Sequence, residues 1–544
     1  MNNETYSYNA FSGMKITFIN MPLRESASPN TPPEGPGILA AITRQYGAEP
    51  YIIDLNAYRI KDDLAEKRGL PNGRHLTNEE AENLIVQHLK NVGDQDVIAF
   101  SGKITTLRWQ EQVAKFIRKH QPDTFLVTGN GLATEIKTGL FNWIPELDAI
   151  GRSEGDNIIL SILQDTKTIK EMGIDRAKRS GRLSSAYLGE IDGRSRFCYE
   201  GNRPRNLDII PYAAWDLLES DPFGHNILED YIKIPVWGIA ANNSSATPFT
   251  MERSLTTVSS RGCPYACAFC YRGAQGERNY GMRSPEHIAK QIKGYVDKYN
   301  LDFVGFPDDN FAVDKKRIKR IPEVFKEYEI DHIRWGTHTR MDEADERAFD
   351  MARGGCVYIG FGAESASPHT LKHMKKGGFI LKNGLTPTKI NGKVYEFPTT
   401  MVNAVKNCKK AGIHANCTWI MAYPGEGLEH LKTSVAFILW QQKFWSDKNS
   451  VNRKMFTATA YPGTTMWKVV RPKLEKHFNI KFNSLGEPIC DENFHNYVLE
   501  LDDATKVLND KDGTPVNFGD MPLKTFLKAR ECVDSDNIEK ILDL

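Results

Sequence analysis

At 544 residues the chain exceeds what one ordinary hydrophobic core organises, so two or three domains are expected. Hydrophobic residues make up 40% and charged residues 26%, with no biased tract, which is the composition of a globular protein. Seventy Lys and Arg against 69 Asp and Glu leave a net charge of +1, so the balance argues against a nucleic acid or an anionic membrane as partner. No apolar run is long enough to span a bilayer, and the opening MNNETYSYNAF lacks an export pattern. The nine cysteines do not form a secreted disulfide framework, and a reducing cytoplasm is the expected location.

In chain order, a first domain is expected over 14–165. β-rich runs at 15–20, 50–55, 96–102, 124–129 and 147–151 alternate with helical stretches near 36–46, 78–91, 107–120, 133–142 and 155–164. That alternation predicts a parallel sheet with helices on both faces, and five strands suit a flavodoxin-like, Rossmann-like α/β domain. Residues 166–250 are rich in Gly, Asn, Pro and Ser and read as a connector with a short helix near Tyr212–Leu218. From 251 to 470 the alternation resumes, with strands expected at 254–260, 301–306, 332–337, 356–361, 414–421 and 454–460. Six such units fit a partial (β/α)6, TIM-like barrel, whose chemistry sits on loops after the strands. The basic stretch DKKRIKRIPEVFK, 314–326, reads as a solvated helix face. The last part, 471–544, is polar and ends in a helix expected around 522–542.

Within 259–273 the run SRGCPYACAFCYRG follows a predicted strand and spaces Cys263, Cys267 and Cys270 by three and two residues. Such a loop can aim three thiolates at three corners of a cubane iron–sulfur cluster and leave the fourth iron open. A structural zinc site would need a fourth ligand. The nearest downstream candidate, His287, falls in a predicted helix. Cys198, Cys356, Cys408, Cys417, Cys490 and Cys532 are scattered and read as small hydrophobes.

This CxxxCxxC loop resembles the signature of the radical S-adenosylmethionine (SAM) superfamily, and the likeness continues over most of 251–470. GFPDDNF (305–311) resembles the acidic loop after the second barrel strand, which implies that Asp308 and Asp309 meet the ammonium of the methionine moiety. GFGAES (360–365) resembles the fourth-strand motif, implying a ribose contact for Glu364, with Ser365 beside it. WIMAYPGEG (419–427) resembles the fifth-strand turn beside the adenine, which brings in Tyr423 and Gly425. ATAYPGTTMW (458–467) resembles a sixth-strand turn, and Phe269 stands where the family places an aromatic ring near the adenine. The likeness implies a [4Fe–4S] cluster, reductive cleavage of SAM to start radical chemistry on an unactivated carbon of a small molecule, and an external one-electron reductant such as flavodoxin or ferredoxin.

A flavodoxin-like domain, a connector and a radical barrel, in that order, resemble the cobalamin-binding branch, which includes carbon methyltransferases and the anaerobic magnesium-protoporphyrin monomethyl ester cyclase. Residues 18–42, 100–106, 127–134, 150–157 and 205–218 resemble its loops. Gly129, Gly131, Gly151 and Gly155 would let backbone approach a bulky cofactor, with hydroxyls from Ser101, Thr105 and Thr134. No DxHxxG motif supplies a cobalt ligand, and His75, His88 and His120 read as surface residues. The family glycine after the fourth-strand Glu-Ser pair is Ala366, and 378–397 and 441–454 look like insertions at the barrel mouth or on the surface. The reading that follows is cobalamin-dependent C-methylation or oxidative cyclisation. The alternatives are a cobalamin-independent radical oxidoreductase with a vestigial first domain, and a non-catalytic iron–sulfur sensor.

Overall fold

The computed structural model describes residues 6–22, 31–58, 76–221, 224–233, 251–271, 279–446, 451–501 and 506–544. The expected features at 23–30, His75, 234–250, 272–273 and 447–450 lie outside them.

The first unit is a parallel sheet built on β1 (Lys15–Asn20), β2 (Glu49–Asp54), β3 (Val97–Ser101), β4 (Phe125–Gly129) and β5 (Ala149–Arg152). Its strand order, β2-β1-β3-β4-β5, is that of a flavodoxin-like fold. These strands read as unbroken apolar runs because helices cover both faces. Leu107–His120, for instance, turns Leu107, Val113, Ala114 and Ile117 inward. The sheet does not stop at five strands. β6 (Ala186–Ile191) and β7 (Arg194–Glu200), from the stretch read as connector, form a hairpin whose β7 pairs parallel with β5. Largely exposed β6 lacks the apolar run that marks the buried strands. The helix expected at 133–142 is broken at Lys137–Gly139, and the one near 212–218 is the single turn Asp216–Glu219.

In the second unit β8 (Ser254–Thr256), β9 (Phe303–Phe306), β10 (Arg334–Thr339) and β11 (Cys356–Glu364) are followed by the hairpin β12 (Leu385–Ile390) and β13 (Lys393–Pro398), then β14 (His414–Met421) and β15 (Met455–Thr457). Apart from the hairpin, these six strands lie side by side in sequence order and all parallel, as in a six-stranded partial barrel, while Ser260–Arg261 and Gly281–Met282 form a separate short antiparallel pair. Connecting helices start on side-chain caps: Ser284 accepts from His287 N–H at 3.1 Å and Asp314 from Arg317 N–H at 2.7 Å. The 378–397 insertion forms most of the hairpin, which buries Tyr395 and Phe397.

Two observations join the units. The carboxylate of Glu34, first residue of helix Glu34–Gln45, accepts from Thr257 Oγ1 and Val258 N–H, both at 2.8 Å, just beyond β8. The polar-looking C-terminal part inserts Phe494, Tyr497 and Phe518 into a core shared with Leu107 and Leu140 of the first unit and Met466 of the second. Among the described residues no helix is long and apolar enough to cross a membrane.

Candidate active site

The cluster loop is held from three directions. Gly262, at φ +80°, donates its N–H to Asp309 at 2.9 Å, and a side chain there would collide with Arg203 and the Asn279 carbonyl, so only glycine fits. Ala268 N–H bonds the Met374 carbonyl at 2.8 Å, and Met466 N–H bonds the Ala268 carbonyl at 2.7 Å. Tyr271 reaches the first unit, its hydroxyl 2.5 Å from the Gly131 carbonyl.

Cys263, Cys267 and Cys270 are free and partly buried. Burial, reinforced by the nearby Cys267 and Cys263 sulfurs, pushes the Cys270 thiol up to about 12, and burial raises Cys263 as well. Raised in this way, the Cys263 and Cys270 thiols stay protonated on their own, and a bound cationic iron core would deprotonate them. Donors already face the sulfurs: Arg340 Nη1 lies 3.5 Å from Cys267 Sγ and Asn310 Nδ2 3.8 Å from Cys263 Sγ. Among the described residues no three His, Cys, Asp or Glu side chains converge as a single metal ion requires. Three thiols on one loop, with N–H donors beside two of the sulfurs, suit a cluster that leaves one iron open. The other cysteines stand apart: Cys198, Cys356, Cys408 and Cys417 are buried, while Cys490 and Cys532 are half-buried.

Beside the loop, a cavity of about 260 Å³ is lined by Phe269, Glu364, Thr418, Tyr423 and Tyr461 among others. Phe269 meets Tyr423 edge-on with centroids 6.3 Å apart. The β11–β14 ladder slips between Gly362 and Glu364, and Glu364 sits at φ +63°. Such a bulge re-aims a side chain at a strand end. The Glu364 carboxylate is held 3.2 Å from Lys376 Nζ. Ala422, just beyond β14, also adopts φ +63°. A non-glycine residue held there costs about 1–3 kcal/mol, and such residues cluster at functional sites.

A larger cavity, about 600 Å³, lies where the strand ends of the first unit face the barrel. Ser101, Thr105, Gly129, Gly151 and Gly155 line it from one side, and Ser260, Arg261, Asp309 and Tyr271 from the other. Tyr461 lines both cavities. A methyl added at Gly129 would meet only the Gly151 carbonyl, at 3.7 Å, so this backbone leaves open space. Arg261 bonds Glu154 at 3.3 Å and Asp156 more closely, while Arg203 bonds Glu154 at 2.6 Å, so charges of both signs neutralise one another at the rim.

Several expected site residues lie elsewhere. Asp308, 2% exposed, lines neither cavity: it accepts from Ser259 N–H at 2.8 Å and from the Ser259 and Ser260 hydroxyls at 2.6 Å each. Burial raises its carboxyl, with Arg317 and the serine hydroxyls opposing. Arg317 thus leaves the supposedly solvated helix face, bonding the Phe311 carbonyl at 3.1 Å and the Ser259 hydroxyl. Ser365 is buried against Ser434 at 3.0 Å. Thr134 donates to the Asn130 carbonyl at 2.8 Å and accepts from Ser153 N–H at 3.0 Å. Gly131 packs under Tyr271, and Gly425, at φ +89°, packs against His373. His88 is buried, 3.3 Å from Thr17 Oγ1, and His120 pairs with Glu82 at 2.9 Å. Sequence reading missed Arg340, Asn310, Lys376 and Tyr461, whose neighbours are distant in the chain.

A flavodoxin-like sheet facing a six-stranded partial barrel with a three-cysteine loop defines a class. Residues 257–438 match the radical SAM superfamily, so the chain carries a radical SAM domain and is an enzyme. Such a domain implies a [4Fe–4S] cluster and SAM. It is similar, at 27% identity over 466 residues, to an uncharacterised methyltransferase, PH0819, of Pyrococcus horikoshii, covering 84% of this chain and 82% of that one. The anaerobic magnesium-protoporphyrin IX monomethyl ester cyclase of Rubrivivax gelatinosus is 24% identical over 59% of this chain, which spans only 53% of the cyclase. The fold is shared with the cobalamin-dependent radical enzyme OxsB, with TM-score 0.61, 17% identity, and 88% of this chain against 64% of that one. It is also shared with the methyltransferase TsrM of Kitasatospora setae, with TM-score 0.58, 13% identity, and 92% against 86%.

Proposed function

We propose that this chain is a cobalamin-dependent radical SAM methyltransferase acting on an unactivated carbon of a small molecule. The observation that carries the reading is the pair of cavities meeting at Tyr461, one within the barrel beside the cysteine loop and one between the two units. Methylation is preferred to cyclisation because the PH0819 methyltransferase matches this chain over most of both lengths, and the cyclase over about half of its own.

The two cofactors would supply one-electron cleavage of the sulfonium and carriage of a methyl group. The chain's own residues orient and enclose them. Cys263, Cys267 and Cys270 hold the cluster, and Glu364, braced by Lys376, takes the ribose hydroxyls of SAM. Phe269 and Tyr423 wall the adenine side. Asp309, exposed at the larger cavity and tied to Gly262 of the cluster loop, is the acidic partner for the methionine ammonium. Ser101, Thr105, Gly129, Gly151 and Gly155 cradle cobalamin, whose bulk needs both hydroxyl donors and bare backbone. An external low-potential donor in a reducing cytoplasm supplies the electron.

The test is anaerobic purification from cobalamin-fed cells, followed by reductive incubation with SAM. Stoichiometric cobalamin and release of 5′-deoxyadenosine are expected; 5′-deoxyadenosine from protein that never takes up cobalamin would leave a cobalamin-independent radical enzyme. Gly129→Leu should cut cobalamin uptake at least tenfold by filling the cradle, with iron content unchanged. Glu364→Ala should raise the Kd for SAM about tenfold or more, through one or two lost charge-assisted bonds, with iron again unchanged. Isothermal titration checks the second and the visible spectrum the first.

A further inference from the structure

Arg340 directly follows β10 and is 6% exposed, so its charge is held out of bulk water. Its Nε donates to Asp342 at 2.9 Å, its Nη1 lies 3.5 Å from Cys267 Sγ, and its guanidinium carbon sits 4.0 Å from the centroid of the Tyr265 ring. The side chain is thus fixed at both ends, with little freedom to turn away from the sulfur. On the other flank Asn310, fully buried, points Nδ2 at Cys263 Sγ from 3.8 Å. The same amide donates to the Glu343 carboxylate at 3.2 Å, and because a carboxylate only accepts, this contact fixes which way the amide faces; the Thr339 hydroxyl lies 2.7 Å from Asn310 Oδ1 and 2.6 Å from Glu343 Oε2. Glu343, 1% exposed, also accepts from the Tyr265 hydroxyl at 2.9 Å, so one buried network orients both donors.

A hydrogen bond to a ligating sulfur favours the more electron-rich, reduced cluster, and it does so most when the donor carries a positive charge in a low dielectric. We infer that Arg340 and Asn310 set the reduction potential of the cluster, Arg340 through a charged N–H···S contact to Cys267 and Asn310 through a neutral one to Cys263. This rests on the radical SAM reading above. In that reading the cluster must accept one electron from an external donor and pass it to the sulfonium. The two residues raise the potential at which the first step occurs, easing reduction at some cost in driving force for the second. Arg340 is the stronger lever because its charge is formal and its donor is nearer.

Full-length protein, reconstituted under argon to four irons per chain and without SAM, is titrated with dithionite and mediators while the reduced cluster is followed by electron paramagnetic resonance. Arg340→Gln should lower the midpoint so that, at the wild-type midpoint, the reduced-to-oxidised ratio falls about tenfold, or about 59 mV for a one-electron couple. Asn310→Ala should lower it about two- to threefold, and Arg340→Lys, which keeps the charge and the Asp342 partner, by a similar smaller factor. A wild-type midpoint in Arg340→Gln overturns the inference even if activity drops, because a structural role for Arg340 would cost turnover without moving the potential. Should Arg340→Gln fail to hold iron, Arg340→Lys and Asn310→Ala decide it: lowered midpoints uphold it and unchanged ones overturn it. Wild-type protein that forms no cubane would instead sink the functional reading itself.

Discussion

Cys267→Ala protein, prepared anaerobically, is expected to retain its fold, lose most of its iron and release no detectable 5′-deoxyadenosine. The middle cysteine lies on a short loop already pinned by Gly262, Ala268 and Tyr271, so the truncation removes a ligand without freeing the loop. Two thiolates cannot hold a cubane with three irons anchored. The fold should survive because the loop contributes little to the apolar core: Cys267 is only partly buried, and the adjacent barrel strands are closed by their own ladders. The Arg340 guanidinium then loses its sulfur contact but keeps Asp342, so no unpaired buried charge is created. Iron and sulfide assay, circular dichroism and product analysis check the three parts separately. Native iron content together with turnover would show that the cysteines do not carry the chemistry.

Much of this architecture can be read along the chain because buried parallel strands must be apolar on both faces. All eleven strands expected from such runs are present, in one flavodoxin-like order and one sequential barrel order. The hairpin 186–200 escaped because its outer strand is largely exposed and carries no such run. Spacing along the chain also located the cysteine loop, and family resemblance pointed to Gly129, Gly151 and Gly155, which line the larger cavity. It could not reveal direction. Asp308 and Asp309 are neighbours in sequence, yet one turns into the protein toward Ser259 and the other faces the cavity. Ser365 and Thr134 likewise carry plausible donors that are used up within the fold. Buried charges were the least legible of all. Arg317, Arg261 and Arg203 look like surface residues until partners from distant segments are placed beside them.

Asp308→Ala should destabilise the protein by about 3–5 kcal/mol, the range for breaking a buried charged network by removing one partner. Its carboxylate takes three donors from Ser259 and Ser260, and Arg317 reaches it through the Ser259 hydroxyl. Truncation would take from Arg317, 4% exposed, the carboxylate it reaches through Ser259, and from the buried Ser259 and Ser260 donors the oxygens they bond. Those serines immediately precede Arg261, Gly262 and Cys263, so the loss should pass straight into the cluster loop and lower iron retention too. Asp308→Asn keeps the shape and one acceptor oxygen and should cost about 1–3 kcal/mol. Asp309→Ala removes the bond to the Gly262 N–H at the rim and should change stability by less than about 1 kcal/mol while weakening SAM binding. Urea midpoints, iron content and SAM titration on the three variants separate a positioning carboxylate from a ligand-binding one. Unchanged stability in Asp308→Ala, with only SAM affinity lost, would return that residue to the role its motif suggests and remove the division of labour between the two aspartates.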